Sequence, residues 1–310
     1  MTSELHHSPA TSLNAVCAVV VSYHPETTVL LDLLNQLDQS GCDFILIDNH
    51  SNNIDHFKTK ALGFNRCREV ICLPENLGQA SALNEALTRI ETAGYELALL
   101  FDQDSSIDDN FVPGMLTSWN LGQQIARGTV AAIGPRLIEP RSKRRMPFRT
   151  FRSLIERSET VAEPQSRLID TAFLITSGCL LAVGLLPRIG LMRSDYFIDN
   201  VDLEWCFRAK ALGYQLFGTE LATLHHRIGE DSDNVLVRRG VIVQHSALRY
   251  YYSSRNRIHL HKQPYTPWIW RTKDIVRFVL KSTYLLITSG DRHSIWTNLR
   301  RAVRDARHLS

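Results

Sequence analysis

The chain has 310 residues with 44% apolar and 22% charged content, the profile of an ordinary globular protein that needs no staples to hold a core. Its six cysteines contain no CxxC pair, which argues against a disulfide scaffold or a zinc site and for free thiols in a reducing cytoplasm. A net charge of +3 does not indicate a nucleic-acid partner, and no run of roughly 18 apolar residues suggests a membrane-spanning helix.

Met1 to Asn14 is polar, lacks the apolar stretch of a secretory signal, and reads as a loose arm (1–14). Ala15 to Ser22 is almost continuously apolar, the pattern of a strand buried on both faces. Leucines at helical spacing follow from Thr27 to Leu37, with Thr27 or Thr28 as a cap. Asp43 to Ile47 and Val70 to Leu73 read as the next strands, Gln79 to Ala93 as a helix stopped by Gly94, and Leu97 to Phe101 as a fourth strand. Val130 to Ile133 is another strand, Arg141 to Arg145 a basic loop, and Leu174 to Val183 an apolar stretch around Ser177-Gly178-Cys179. Asp199 to Gly213 starts acidic and continues as a helix, and Gln215 to Leu224 is a strand ending at His225-His226. This alternation predicts an α/β, Rossmann-like, doubly wound and mainly parallel sheet over 15–230, followed by a basic helical extension over 231–310.

In such sheets ligands bind beyond the carboxyl ends of the strands, where three polar clusters fall: Ser22-Tyr23, Asp48-Asn49 and Asp102-Gln103-Asp104. Two carboxylates two residues apart after a buried strand suit Mg²⁺ or Mn²⁺ together with a diphosphate; a solvated acidic turn is the plainer reading. Asp48 can hold a nucleoside or close an Asx turn. Asn76 and Gly78 precede a helix N-terminus that favours anions, or they form a simple cap; Asn84, further along, faces either core or pocket. Asp199, Asp202 and Glu204 enter a helix whose dipole favours acids, yet one of Asp202 and Glu204 can point at an acceptor hydroxyl as general base. His226 at a strand end suits a metal or phosphate, and Arg227 a diphosphate, although either can be plain surface.

In the tail, nine Lys and Arg face three Asp from Arg271 to Arg307. Apolar residues from Trp268 to Ile287, punctuated by Arg271, Lys273, Arg277 and Lys281, fit either a helix lying on an anionic membrane or one docked on the protein. Arg249 to Arg257 (RYYYSSRNR) interleaves aromatics and arginines, and is read as packing of Tyr250 to Tyr252 on the catalytic domain.

The ordered set VVVSYHP, LIDN, ENLGQASALNEAL, LLFDQDS, SGCLL, YFIDNVDLEWCFRA and HHRIG, between Val19 and Gly229, resembles the inverting family 2 glycosyltransferases of GT-A fold. Within them it is most similar to bacterial rhamnosyltransferases, including those of O-antigen assembly and the second rhamnosyltransferase of rhamnolipid synthesis. The resemblance implies a dTDP-L-rhamnose donor and a glycolipid or glycan acceptor. It also implies a divalent metal held by Asp104, Asp102 and His226, and a cytoplasmic enzyme that is peripheral on the inner membrane. It places Ser22, Tyr23, Asp48, Asn76, Gly78, Asn84, Asp102, Gln103, Gly178 and Arg227 around the nucleotide sugar. Asp202 takes the place of the general base, with Asp199 as the alternative because Val201 stands where many relatives have Glu. Nucleotidyl transfer would need a glycine-rich basic loop where SYHPE stands at Ser22 to Glu26. An inactive carbohydrate-binding assembly subunit is the non-enzymatic alternative.

Overall fold

The structure is a computed structural model and describes residues 11–139, 143–153, 159–162, 167–225 and 247–309. The apolar runs form β1 (Val16–Ser22), β2 (Asp43–Asp48) and β4 (Leu97–Asp102), with α1 (Thr27–Gln39), α2 (Lys58–Leu62), β3 (Cys67–Cys72) and α3 (Gln79–Thr92) between them. Then follow α4 (Phe111–Ile125), β5 (Val130–Ile138), β6 (Thr160–Val161), β7 (Leu168–Asp170), β8 (Leu180–Ala182), α5 (Leu186–Ile189), α6 (Val201–Ala211) and β9 (Gln215–His225). Three helices close the chain: α7 (Ala247–Lys262), α8 (Trp268–Thr288) and α9 (Arg292–Asp305).

The described strands make one nine-stranded sheet in the order β3-β2-β1-β4-β8-β5-β9-β7-β6. β3, β2, β1 and β4 are mutually parallel, as are β5 and β9, while β8 and β7 run against their neighbours. The chain reverses its direction of winding between β1 and β4, so their carboxyl ends flank the crevice where such sheets bind ligands. Alternation along β1 explains the two-layer core. Val16, Ala18 and Val20 pack with leucines of α1 and with Phe111 and Met115 of α4, whereas Cys17 and Val19 pack with α3 and α6 on the other face.

Several elements depart from the sequence reading. β3 begins three residues before the expected Val70, because an edge strand keeps polar residues such as Arg68, which pairs with Asp43 at 2.6 Å. α4 was hidden by Pro113-Gly114. The proline sits in the first turn, where its missing N–H costs nothing, and a Cβ on Gly114 would lie 2.3 Å from the Leu221 carbonyl oxygen of β9. Glu26, not either threonine, occupies the N-cap position of the first helix; its side chain makes no cap bond to the backbone and accepts instead from the Thr28 hydroxyl at 3.2 Å. All six cysteines are free. Among the described residues no helix is long and apolar enough to cross a membrane.

The three terminal helices pack back on the sheet domain. Leu260 of α7 and Trp270 of α8 share a cluster with Phe207 of α6 and Ala172. Tyr265, between α7 and α8, donates to Glu204 at 2.7 Å. On α8, Ile269 and Trp270 are buried, but Trp268, Ile275, Val276, Val279, Leu280 and Ile287 are exposed.

Candidate active site

Parallel register brings the expected strand ends together: Ser22 lies opposite Asp48, and Val21 opposite Asp102. The Asp48 carboxylate is buried and accepts from the Ser22 hydroxyl at 3.0 Å and from the Ser51 N–H at 2.8 Å. Asn49 receives the Leu77 N–H on its carbonyl and donates to Asn76 at 2.9 Å, and Asn76 in turn accepts from the Gly78 N–H at 3.0 Å. Gln103 accepts from the Tyr23 N–H at 2.6 Å, and the Tyr23 ring is exposed. Asp102 accepts from Gln79 at 3.0 Å and from the Ser177 hydroxyl. Asp104 is exposed beyond it. An isolated bridge between Ser106 and His225 draws the end of β9 to this loop. His226 and Arg227 lie outside the described residues.

Three of the expected residues make contacts within the protein. Gly78 has φ +84, and a Cβ there would lie 2.6 Å from the Phe197 carbonyl oxygen, so the close approach its sequence suggested is made by the 197 backbone. Gly178 has φ +76 and is walled by Pro135, Phe111 and Leu224. The Asn84 amide spans the Met192 backbone, donating to its carbonyl at 2.8 Å and accepting its N–H at 2.9 Å.

The acidic turn separates its carboxylates. Glu204 is fully buried, paired with Arg208 at 2.8 Å and bonded by Tyr265; it ties α6 into the core. Asp199 is paired with Arg249 of α7 at 3.1 Å. Asp202 accepts the Leu203 N–H at 2.8 Å, and burial, followed by the charges of Asp102 and Asp199, pushes its carboxyl up to about 6. The buried thiols of Cys179 and Cys206 form part of its surroundings; the Cys179 thiol is itself pushed up to about 12 by burial and by Asp202. A carboxyl near 6 beside the end of β4 is suited to take a proton near neutral pH.

The backbone before α6 is unusual: Phe197, Asp199 and Asn200 all have positive φ. Asn256 of α7 is completely buried, and its amide nitrogen lies within hydrogen-bond reach of the carbonyls of Tyr196 (2.8 Å), Ile198 (2.8 Å) and Asp199 (2.9 Å), which share its two hydrogens. Tyr252 stacks on Phe197 with centroids 4.7 Å apart. His259 bridges the Tyr196 hydroxyl and Gln263, and burial with Arg193 nearby pushes it down to about 4, so it is a neutral link.

The glycosyl transferase family 2 model matches residues 19–190, more than half of the chain, including the ends of β1, β2 and β4 but not Asp202 or the end of β9. The chain belongs to glycosyl transferase family 2. This family 2 transferase is 25% identical over 278 residues to the dTDP-rhamnosyl transferase RfbF of Shigella flexneri, covering 89% of this chain and 90% of that one. Its fold is that of the GT-A glycosyltransferases. It overlays S. aureus TarS 1–349 in complex with UDP-GlcNAc at TM-score 0.59 and 14% identity, covering 94% of this chain and 80% of that one. It overlays the mannosyltransferase PcManGT of Pyrobaculum calidifontis, in complex with GDP-Man and Mn²⁺, at TM-score 0.54 and 14% identity, covering 96% and 76%. The chain spans 48% of the longer TarS chain.

A divalent cation fits the family 2 site chemically, though not as a closed cage. Among the described residues no three His, Cys, Asp or Glu side chains converge to hold a metal alone. Asp102 and the exposed Asp104 would offer hard oxygen ligands, and the charge of Asp102 raises Asp202, as carboxylates gathered at one edge do without a cation. Two protein carboxylates plus phosphate oxygens and water are a usual shell for Mg²⁺. Sequence reasoning missed Ser177 and Gln79 as partners of Asp102, although the SGCLL and ENLGQ motifs contain both. It also missed Asn256, whose signal, an RN pair on an aromatic helix, was read as packing.

Proposed function

We propose that the chain is an inverting rhamnosyltransferase that takes L-rhamnose from dTDP-L-rhamnose and adds it to a rhamnosyl-lipid, extending a mono- to a di-rhamnolipid. The observation that carries the chemistry is Asp202, a carboxyl pushed up to about 6 at the carboxyl edge of the sheet and sensing the charge of Asp102. The likeness to a dTDP-rhamnosyl transferase over nine-tenths of both chains supports the sugar and nucleotide.

In the proposed reaction an acceptor hydroxyl oxygen bonds to the anomeric carbon as that carbon's bond to dTDP breaks. The hydroxyl proton passes to Asp202, and a β-linked donor becomes an α-rhamnoside. Asp199, held by Arg249, is the less favoured base because its carboxylate is already engaged. Ser22, Tyr23, Asp48, Asn76 and Gln103 would hold the nucleotide, and Arg227, outside the described residues, has the charge to pair with the diphosphate. Asp104 and Asp102, with His226, would hold Mg²⁺ or Mn²⁺, whose charge offsets that of the departing diphosphate.

The exposed apolar positions of α8 recur at helical spacing, and basic residues outnumber acids from Arg271 to Arg307. That combination supports a peripheral seat on the anionic inner face of a membrane, where an amphiphilic acceptor resides. Calorimetric titration tests the donor reading: dTDP-L-rhamnose with Mg²⁺ should bind at least tenfold more tightly than UDP-GlcNAc or GDP-mannose, an expected margin of about 1.4 kcal/mol. Equal affinity for all three would remove the rhamnose assignment and leave the family.

A further inference from the structure

α7 does more than cover the sheet domain. Its Asn256 gathers three backbone carbonyls from one turn, those of Tyr196, Ile198 and Asp199. They point at one amide because Phe197 and Asp199 hold φ +64 and +65, conformations that side-chain-bearing residues avoid unless their surroundings impose them. The amide is itself oriented. Its carbonyl oxygen accepts from the Arg255 guanidinium at 2.9 and 3.0 Å, and the same guanidinium donates to the Asp195 carbonyl and lies over the Tyr252 ring. Asn200, the next residue, is left-handed, caps α6 and donates to the Ser253 carbonyl at 3.3 Å. Asp202 is the second residue of that helix.

We propose that Asn256, aligned by Arg255, is a positioning residue for this transferase: it locks the 196–200 turn and thereby fixes where α6 presents the Asp202 carboxylate. The inference rests on the reading of Asp202 as the base. An aspartate in place of Asn256 would aim negative oxygen at three carbonyl oxygens, and an alanine would remove the donor these three carbonyls share, leaving the Tyr196 carbonyl only the Ile198 N–H at 2.7 Å. The amide is thus matched to the turn in a way that apolar packing alone does not require. The turn meets the strand-end side through Phe197, whose carbonyl accepts the Ala80 N–H at 3.4 Å and abuts Gly78, while Asp202 follows it directly, so loosening it should harm turnover far more than nucleotide binding.

Four variants test this: Asn256→Ala, Arg255→Lys, Asp202→Asn and Tyr250→Phe. The last removes a 2.9 Å bond between α7 and Ser282 of α8 without touching the turn. Each is titrated with dTDP and Mg²⁺ by calorimetry, assayed for dTDP release from dTDP-L-rhamnose with mono-rhamnolipid or water as acceptor, and followed by hydrogen exchange over 196–203. Asn256→Ala should keep the parent's dTDP stoichiometry and a donor KM within about threefold, exchange faster over the turn, and lose about 100-fold in kcat, the cost of a misplaced catalytic group. Arg255→Lys should lose less, and Tyr250→Phe should match the parent. If Asp202→Asn turns over normally, the base reading itself falls. If Asp202→Asn is inactive but Asn256→Ala keeps parental kcat despite faster exchange, or Tyr250→Phe loses as much as Asn256→Ala, the positioning role is overturned. If Asn256→Ala does not fold, Arg255→Lys decides: lower kcat at unchanged dTDP affinity supports the role, and parental kcat overturns it.

Discussion

On the strand-end side of the pocket, Ser22, Asp48 and Asp102 sit together because parallel pairing puts consecutive strands in register. On the opposite side, Asp202 sits where it does because a helix much later in the chain grips the turn before it: Asn256 lies 60 positions beyond Tyr196. The first wall is set by strand pairing, with its polar residues bonded to one another at the strand ends. The second is a strained turn that borrows its shape from α7. The comparison teaches that the two halves of one site can fail separately, one by losing affinity and the other by losing rate.

The largest effect that would sharpen this contrast is on turnover. Asp202→Asn should cut kcat by about 1000-fold with donor affinity kept, since a positioned general base contributes about 10² to 10⁴; steady-state kinetics and dTDP calorimetry check both halves. Glu204, two residues on, should behave oppositely. Glu204→Ala removes the buried carboxylate that Arg208 and Tyr265 share and should cost about 3 kcal/mol in denaturant unfolding. The fraction that remains folded should still bind dTDP.

A smaller effect has a definite pH signature. The folded chain raises Asp202 to about 6, so between the ordinary aspartate range and 6 it holds a proton that the unfolded chain has released. Stability therefore falls as pH rises through that window. In metal-free buffer at pH 8, Asp202→Asn should be more stable than the parent by roughly 2 kcal/mol, discounted from the full shift because the carboxylate is only partly buried. The gain should shrink as pH drops through 6 and vanish near 4; a gain that grows toward low pH would contradict the assignment. The smallest expected change is in stability on α8: Ile275→Asp with Val279→Asp should alter unfolding by less than about 0.5 kcal/mol per site, because both side chains are exposed. The same pair should abolish co-sedimentation with phosphatidylglycerol vesicles, and retained binding would remove the membrane seat.

The strand-end wall was legible in the sequence because its signal is local: an apolar run ending in Asp48-Asn49 or Asp102-Gln103-Asp104 marks both the strand and its ligand-facing end. Asp202 was nameable from its motif, but choosing between Asp202 and Glu204 needed the fold, since only packing shows Glu204 turned toward Arg208 and Tyr265. Gly78 and Asn84 show what residue type leaves open. A glycine before a helix and an amide on it look alike whether they meet a ligand or, as here, Phe197 and Met192. Asn256 was illegible because its partners are backbone carbonyls, which leave no mark on the residue types of the turn they belong to.

The most direct test of the central claim is to incubate the full chain with dTDP-L-rhamnose, Mg²⁺ and mono-rhamnolipid and read the products by mass spectrometry. The account predicts a di-rhamnolipid that is absent with chelator, in Asp104→Ala and in Asp202→Asn. A product that forms undiminished in Asp202→Asn, or no turnover of dTDP-L-rhamnose with any rhamnosyl acceptor, would contradict it.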